Sequence, residues 1–357
     1  MKNKGVYSSI TELVGNTPIV RLRKIEERYN IKTQLYAKLE YLNPFGSVKD
    51  RIAEALVEDA WKKNHYKKDT IIVEASSGNT GISIATVAAR KGLKCVIVIP
   101  ESISEERKMM LDLLGARMIF VSKGIKEAIK KAKEFTDLVE SAVMTRQFEN
   151  KVNVRVHKRT TAKEIMKSLN NIDYFVSGVG TGGTITGVGE ALKKKNNSNT
   201  LVVAVEPWKA SVLSGKQVQS HGIQGIGAGF LPAILNIKII DYIFRAKDWE
   251  AIEYARIMAT TEGIAVGLSS GAAICAGMKL GADINDASKK VLIMVPSAAE
   301  RYLSTELFDN KSQSLSELSN LYGKPEVNEP NAQYKPETNN DKQQNGQQEL
   351  TCSSINS

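Results

Sequence analysis

The sequence predicts an α/β protein built from two doubly wound domains with mainly parallel sheets. Apolar, β-rich runs alternate with helical runs through most of the 357 residues, and strands separated by helices of crossover length form βαβ units. The alternation falls into two successive series. Glycine-rich turns stand between strand and helix in both, where open sheets bind ligands.

In chain order, residues 34–41 read as a strand and 47–62 as a helix. Residues 70–75 are strand, 79–91 helix and 94–99 strand. Ser104 is placed to cap a helix that stops at Gly115, and 117–121 returns as strand. The second series gives a helix near 162–169, a strand at 174–177, a helix at 184–195 and a strand at 201–206. Helices at 249–262 and 271–280 and a strand at 291–295 complete it. The change of domain falls near 145–160. Residues 1–40 are assigned to a segment packing with the larger domain, 41–150 to a smaller domain, and 151–310 to the larger one. Ser312 opens a possible short helix, but 311–357 is mostly rich in Asn, Gln, Lys, Glu, Pro and Ser and reads as a disordered polar tail.

Composition narrows the class of function. A hydrophobic share of 42% with 25% charged residues is that of a soluble globular chain. No run of apolar residues is long enough to span a membrane, and the start Met1-Lys-Asn-Lys-Gly-Val lacks a signal-peptide core, so a cytoplasmic protein is expected. The net charge of +10 comes from lysines scattered among acids, as in 126–135, with no basic block interleaved with aromatics; nucleic-acid binding is not expected. Cys95, Cys275 and Cys352 lack metal-ligand spacing and read as structural thiols, so no metal is expected.

Three segments carry the chemistry. Gly178-Val-Gly180-Thr181-Gly182-Gly183-Thr184 follows a strand: glycines let the backbone approach an anion, and the amides at the next helix start point at it. The same run satisfies Gly-x-Gly-x-x-Gly with Glu206 ending the next strand, so a dinucleotide-dependent oxidoreductase fits this segment almost equally well. Ser76-Ser77-Gly78-Asn79-Thr80-Gly81 offers more hydroxyls and amides than capping requires, and would suit a carboxylate or oxyanion. Asn43-Pro44-Phe45-Gly46-Ser47-Val48-Lys49-Asp50-Arg51 puts a lysine at a helix start. The positive end of the helix disfavours an ammonium there and favours a neutral amine or an imine.

Together and in this order, these segments resemble those of cysteine synthase (O-acetylserine sulfhydrylase), of the tryptophan-synthase-β-like group of pyridoxal-phosphate enzymes. Gly15-Asn16-Thr17-Pro18, Gln147-Phe148-Glu149-Asn150, Gly225-Ile226-Gly227-Ala228-Gly229-Phe230, Gly267-Leu268-Ser269-Ser270-Gly271 and Glu300-Arg301-Tyr302 extend the resemblance from about residue 7 to 309. It implies that Lys49 holds pyridoxal 5′-phosphate as the internal aldimine and moves the substrate α-proton. Gly180, Thr181, Gly182, Gly183 and Thr184 would hold the phosphate, Asn79 the ring 3′-oxygen, and Ser269 would face the pyridine nitrogen. Ser76, Ser77, Thr80 and Gln147 would gather at the substrate carboxylate. A neutral serine opposite the ring nitrogen makes a weaker electron sink, suited to loss of a β-leaving group. The implied reaction is β-replacement on an activated serine through an aminoacrylate, with ping-pong kinetics.

Departures bear on substrate. The run Asn150-Lys151-Val152-Asn153-Val154 lacks two prolines usual in the family, residues 122–126 form a shorter loop, and Pro296-Ser297-Ala298-Ala299-Glu300 lacks a glycine. Cystathionine β-synthase, or a synthase using another activated serine, is the alternative within the class. A catalytically weak partner-binding homologue is the alternative outside it. The resemblance further implies a homodimer and an active site able to take the C-terminal peptide of serine acetyltransferase.

Overall fold

Runs rich in valine and isoleucine, bounded by polar turns, form two sheets in the computed structural model, which describes residues 5–76, 78–195 and 199–308. The first part of the chain supplies β1 (Ile19–Arg21), α1 (Arg23–Arg28), β2 (Gln34–Leu39), α2 (Asp50–Lys63), β3 (Ile71–Ala75) and α3 (Asn79–Lys91). It continues with β4 (Lys94–Pro100), α4 (Glu105–Leu113), β5 (Arg117–Val121), α5 (Ile125–Leu138) and β6 (Ala142–Met144). Then follow α6 (Val152–Arg159), α7 (Thr161–Ser168), β7 (Tyr174–Gly178), α8 (Gly183–Lys195) and β8 (Leu201–Pro207). The last elements are β9 (Tyr242–Ala246), α9 (Asp248–Glu262), α10 (Leu268–Ile284) and β10 (Lys290–Val295).

One sheet has the order β5-β4-β3-β6 and is parallel throughout, with Ala75 opposite Val98 and Ile72 opposite Val143. The other has the order β1-β2-β10-β7-β8-β9. Only β1, paired with β2 through Val20 opposite Ala37, runs antiparallel in it. Helices cover both faces, so the central strands are buried on both sides and need no polar alternation. Val291, Leu292, Ile293, Met294 and Val295 of β10 are all buried. Four apolar clusters result, two on each sheet, and none contains strands of both sheets.

Local differences from the sequence expectation have physical reasons. The strand expected to reach residue 41 ends at Leu39, where a 3-10 turn begins; Asn43 Nδ2 donates to the Glu40 carbonyl at 2.7 Å and closes that turn. Ser104 does not cap α4 with its side chain; its hydroxyl donates instead to the Arg301 carbonyl at 2.8 Å. The helix expected at 271–280 runs from Leu268 to Ile284. Its glycines are close-packing positions rather than ends: a Cβ on Gly271 would lie 1.9 Å from the Ala251 carbonyl, and one on Gly277 would lie 2.3 Å from Ile293. The short elements β1, α1, β6, α6 and β9 carry too little periodicity to stand out in the sequence. Ser77, Cys352 and the expected helix and tail beyond residue 310 lie outside the described residues. Among the described residues no helix is long and apolar enough to cross a membrane.

Candidate active site

Chain order reverses in each sheet at one strand. β4 and β5 are laid down on one side of β3 and β6 on the other; β8 and β9 lie on one side of β7 and β10 on the other. A crevice opens at the carboxyl ends of the strands where order reverses, and ligands of open α/β sheets bind there. Ser76 and Asn79 follow β3, Gln147 follows β6, residues 180–184 follow β7, and Arg301 follows β10. These ends share one cavity of about 640 Å³.

Lys49 lines this cavity from the N-cap position of α2, where φ is −72° and ψ −19°. Burial lowers its amine, the Asp50 carboxylate pulls the other way, and the Arg107 guanidinium adds to the lowering; the outcome is about 8. The turn ahead of Lys49 is tied by Asp50, whose Oδ2 accepts the Phe45 N–H at 2.7 Å and whose Oδ1 accepts the Ser83 hydroxyl at 2.6 Å. Burial raises that carboxyl to about 6. Arg51, on the opposite side of the turn, donates to Glu40 Oε1 at 2.8 Å and to both oxygens of Glu164, at 2.8 and 2.7 Å. Lys38 reaches Glu164 at 2.8 Å. Burial opposes the charge on Glu164, but Arg51 and Lys38 outweigh it and hold the carboxyl near about 2. A buried charge cluster with every member paired fixes the start of α2 against β2 and α7.

Asn79, Ser76 and Thr80 line the cavity at the start of α3. Ser76 Oγ accepts the N–H groups of Gly78 and Gly81, at 3.1 and 3.0 Å, so it serves as a cap while keeping its own proton free to donate. The Thr80 hydroxyl donates to Gln147 Oε1 at 2.7 Å, and Gln147 Nε2 donates to the Ala75 carbonyl at 2.7 Å. Gln147 is therefore buried and tied down, unlike an ordinary surface amide. Glu74 below it accepts from Thr145 and Gln147, and burial raises its carboxyl to about 7.

Gly180, Thr181, Gly182 and Thr184 line the opposite wall. The N–H groups of Gly180, Thr181 and Gly182 have no partner among the described residues. Gly182 has φ +83°, and a Cβ on Gly180 would sit 2.6 Å from the Gly225 carbonyl, so both positions require glycine. Gly183 begins α8 behind this wall, where a Cβ would lie 1.9 Å from Asn153 Oδ1. Asn153 Nδ2 donates to Thr181 Oγ1 at 3.1 Å, and His157 Nε2 lies 3.1 Å from Thr184 Oγ1. Burial and nearby positive charge hold His157 well below its usual range, so it is neutral. Ser269, the second residue of α10, completes the wall; its hydroxyl has no partner among the described residues.

A nest of free amides at a helix start, hydroxyls beside it and a lysine across the cavity fit a phosphorylated aldehyde. A dinucleotide fits less well: Glu206 is buried, accepts the N–H groups of Leu213 and Ser214 at 2.8 and 3.1 Å, and does not line this cavity, so it is not placed to meet a ribose.

The model of the pyridoxal-phosphate dependent enzymes matches residues 10–297. The chain belongs to that family. Its cofactor is pyridoxal 5′-phosphate. Cysteine synthase B of Campylobacter jejuni is 45% identical over 306 residues, covering 85% of this chain and 99% of that protein. A crystal structure of cysteine synthase from Entamoeba histolytica superposes with a TM-score of 0.81 at 38% identity, over 90% of this chain and 97% of that one. O-ureido-L-serine synthase superposes with a TM-score of 0.83 at 35% identity, over 89% of this chain and all of that one.

Of the residues singled out in the sequence, the structure brings Lys49, Ser76, Asn79, Thr80, Gln147 and Ser269 onto one cavity with Gly180, Thr181, Gly182 and Thr184. Sequence reading gave no role to Asn153 and His157, which stand behind the loop, nor to Arg107 and Arg301, which stand beside Lys49 and Asn79. The buried thiols Cys95 and Cys275 are pushed by burial up to about 12.

Proposed function

We propose that this pyridoxal-phosphate enzyme performs β-replacement on an O-activated serine, converting O-acetylserine and sulfide to cysteine and acetate. The observation that carries the proposal is that Lys49 lines one cavity with residues 180–182, whose N–H groups have no partner among the described residues. The named relatives support the choice of substrate.

Gly180, Thr181, Gly182, Gly183 and Thr184 would hold the cofactor phosphate, Lys49 its carbonyl carbon, and Asn79 Nδ2 its ring 3′-oxygen. Ser269 Oγ would meet the ring nitrogen as a neutral partner. When bound, pyridoxal phosphate supplies the electron sink for the α C–H bond of the amino acid. Lys49 Nζ takes the α-proton, and an amine near about 8 is poised for that at neutral pH. The β C–O bond then breaks with departure of acetate, a C–S bond forms, and Lys49 returns a proton to the α-carbon. Ser76, Ser77, Thr80 and Gln147 would orient the substrate carboxylate, which competes with Gln147 for the Thr80 hydroxyl. The departures at 150–154 bear on support of the loop rather than on these contacts, since Asn153 still reaches Thr181.

The reading extends, on the resemblance, to a cytoplasmic homodimer with smaller and larger domains at 41–150 and 151–310, residues 1–40 joining the larger. It extends also to binding of a serine acetyltransferase C-terminal peptide at the same cavity. The deciding experiment supplies cofactor-loaded protein with O-acetylserine and sulfide, and separately with serine and homocysteine, and measures cysteine and cystathionine. Cysteine only in the first mixture is expected. Cystathionine formed faster than cysteine, or no product in either mixture, would sink the assignment.

A further inference from the structure

Arg301 stands one layer behind the cavity wall, in the 3-10 turn Ala299–Tyr302 after β10. Its Nη1 donates to Asn79 Oδ1 at 2.8 Å, the only side-chain hydrogen bond of this guanidinium among the described residues. A guanidinium has donors and no acceptor, so it fixes which end of the amide faces it. Turning the amide over would set Nδ2 against the guanidinium, donor against donor. Asn79 Nδ2 is thereby the end left over, and it has no partner among the described residues.

Arg301 is itself held. Its carbonyl accepts the Ser104 hydroxyl at 2.8 Å. Its Nη2 packs over Gly46, where φ is +79° and a Cβ would lie only 3.1 Å from that nitrogen. Gly46 belongs to the turn leading to Lys49, so one guanidinium touches both the segment bearing the lysine and the residue opening α3.

We propose that Arg301 is a positioning residue that locks the Asn79 amide, so that it can only donate toward the cofactor ring oxygen. The inference rests on the assignment of Asn79 to that oxygen made above. An amide free to rotate would present its carbonyl to the oxygen for part of the time, repelling it.

The test compares cofactor-loaded wild type with Arg301→Ala, Arg301→Lys, Asn79→Ala and the double Ala variant. It measures the pyridoxal-phosphate dissociation constant and the visible absorption bands of bound cofactor. Loss of a charge-assisted contact predicts cofactor binding weaker by about 10- to 100-fold in Arg301→Ala, with altered bands. Arg301→Lys, which keeps a donor, should recover most of the affinity and the original bands. Added to Asn79→Ala, the Arg301→Ala change should cost less than about twofold, because its partner is gone. A full loss in that background would reveal a general structural role and overturn the proposal, as would unchanged affinity and bands in Arg301→Ala. Asn79→Asp leaves Arg301 in place but turns an acceptor to the cavity; wild-type affinity and bands there would also overturn it. If Asn79→Ala itself changes nothing, the ring-oxygen assignment fails and the proposal with it. An effect of Asn79→Ala without one of Arg301→Ala removes the proposal alone.

Discussion

In the role proposed for it Lys49 acts as a neutral amine, and three features bring it toward that state. It sits where the positive end of α2 disfavours an ammonium, burial removes solvent, and the Arg107 charge adds repulsion. An amine at about 8 is protonated below that pH and free above it. Uptake of pyridoxal phosphate by cofactor-free protein should therefore accelerate as pH rises toward about 8 and level off beyond it. Stopped-flow absorbance measures this. Arg107→Met should move the inflection upward, because one cause of the lowering is removed; an inflection left in place would show that Arg107 does not act on the amine. The lysine was legible in the sequence because its neighbours form a recognisable run. Arg107 was not, since Glu105-Glu106-Arg107-Lys108 looks like the charged first turn of any surface helix. Only the fold shows Arg107 buried, with Nε lacking a partner among the described residues and its guanidinium 4.6 Å from the Tyr302 ring centroid.

At the scale of elements, the regular βαβ alternation was readable because helices α2, α3, α5 and α8 are long and patterned. Helix α6 was not: Val152, Val154 and Val156 give it the alternation of a strand, and packing between α2 and α8 decides its conformation. This helix carries Asn153 and His157, the two groups that reach the Thr181 and Thr184 hydroxyls of the 180–184 loop. Its close approach to α8 depends on Gly187. A Cβ there would lie 2.6 Å from the Val154 carbonyl and 2.9 Å from His157 Cβ, backbone and packed side chain with no flexible end to yield. Alanine ordinarily gains about 1 kcal/mol over glycine within a helix. At this position overpacking should reverse the sign, so Gly187→Ala is expected to destabilise by about 1–3 kcal/mol. It should also weaken cofactor binding, because α6 is pushed from the loop it braces. Urea unfolding and a cofactor titration measure the two effects. Greater stability with unchanged affinity would show that the helices have room to part.

For the molecule as a whole, the sheet series was written in the sequence, but the manner in which the sheets meet was not. Each sheet has its own apolar clusters. The links between the two sides include many polar ones: Arg51 to Glu164, Asn79 to Arg301, Ser104 to the Arg301 carbonyl, and Glu106 to the Ser304 N–H at 2.8 Å. Such contacts contribute modest net stability each, since forming them gives up hydrogen bonds to water in the unfolded chain. A ligand gripped by Lys49 and Asn79 on one side and by residues 180–184 on the other would add a link absent from the chain alone. Binding to the folded state at a hundred times the dissociation constant stabilises by about 2.7 kcal/mol. Loaded protein should then unfold in urea as one transition at a higher midpoint, and cofactor-free protein as two. The tryptophans allow the sides to be followed separately, with Trp61 on α2 and Trp208 and Trp249 beside β8 and α9. Fluorescence of Trp61→Phe reports one side, and that of the paired Trp208→Phe, Trp249→Phe variant reports the other. Separate midpoints without cofactor that merge on loading are expected. Coincident midpoints in the cofactor-free protein would mean that the polar links, with the packing of α6 against α2, already make the two sides one cooperative unit.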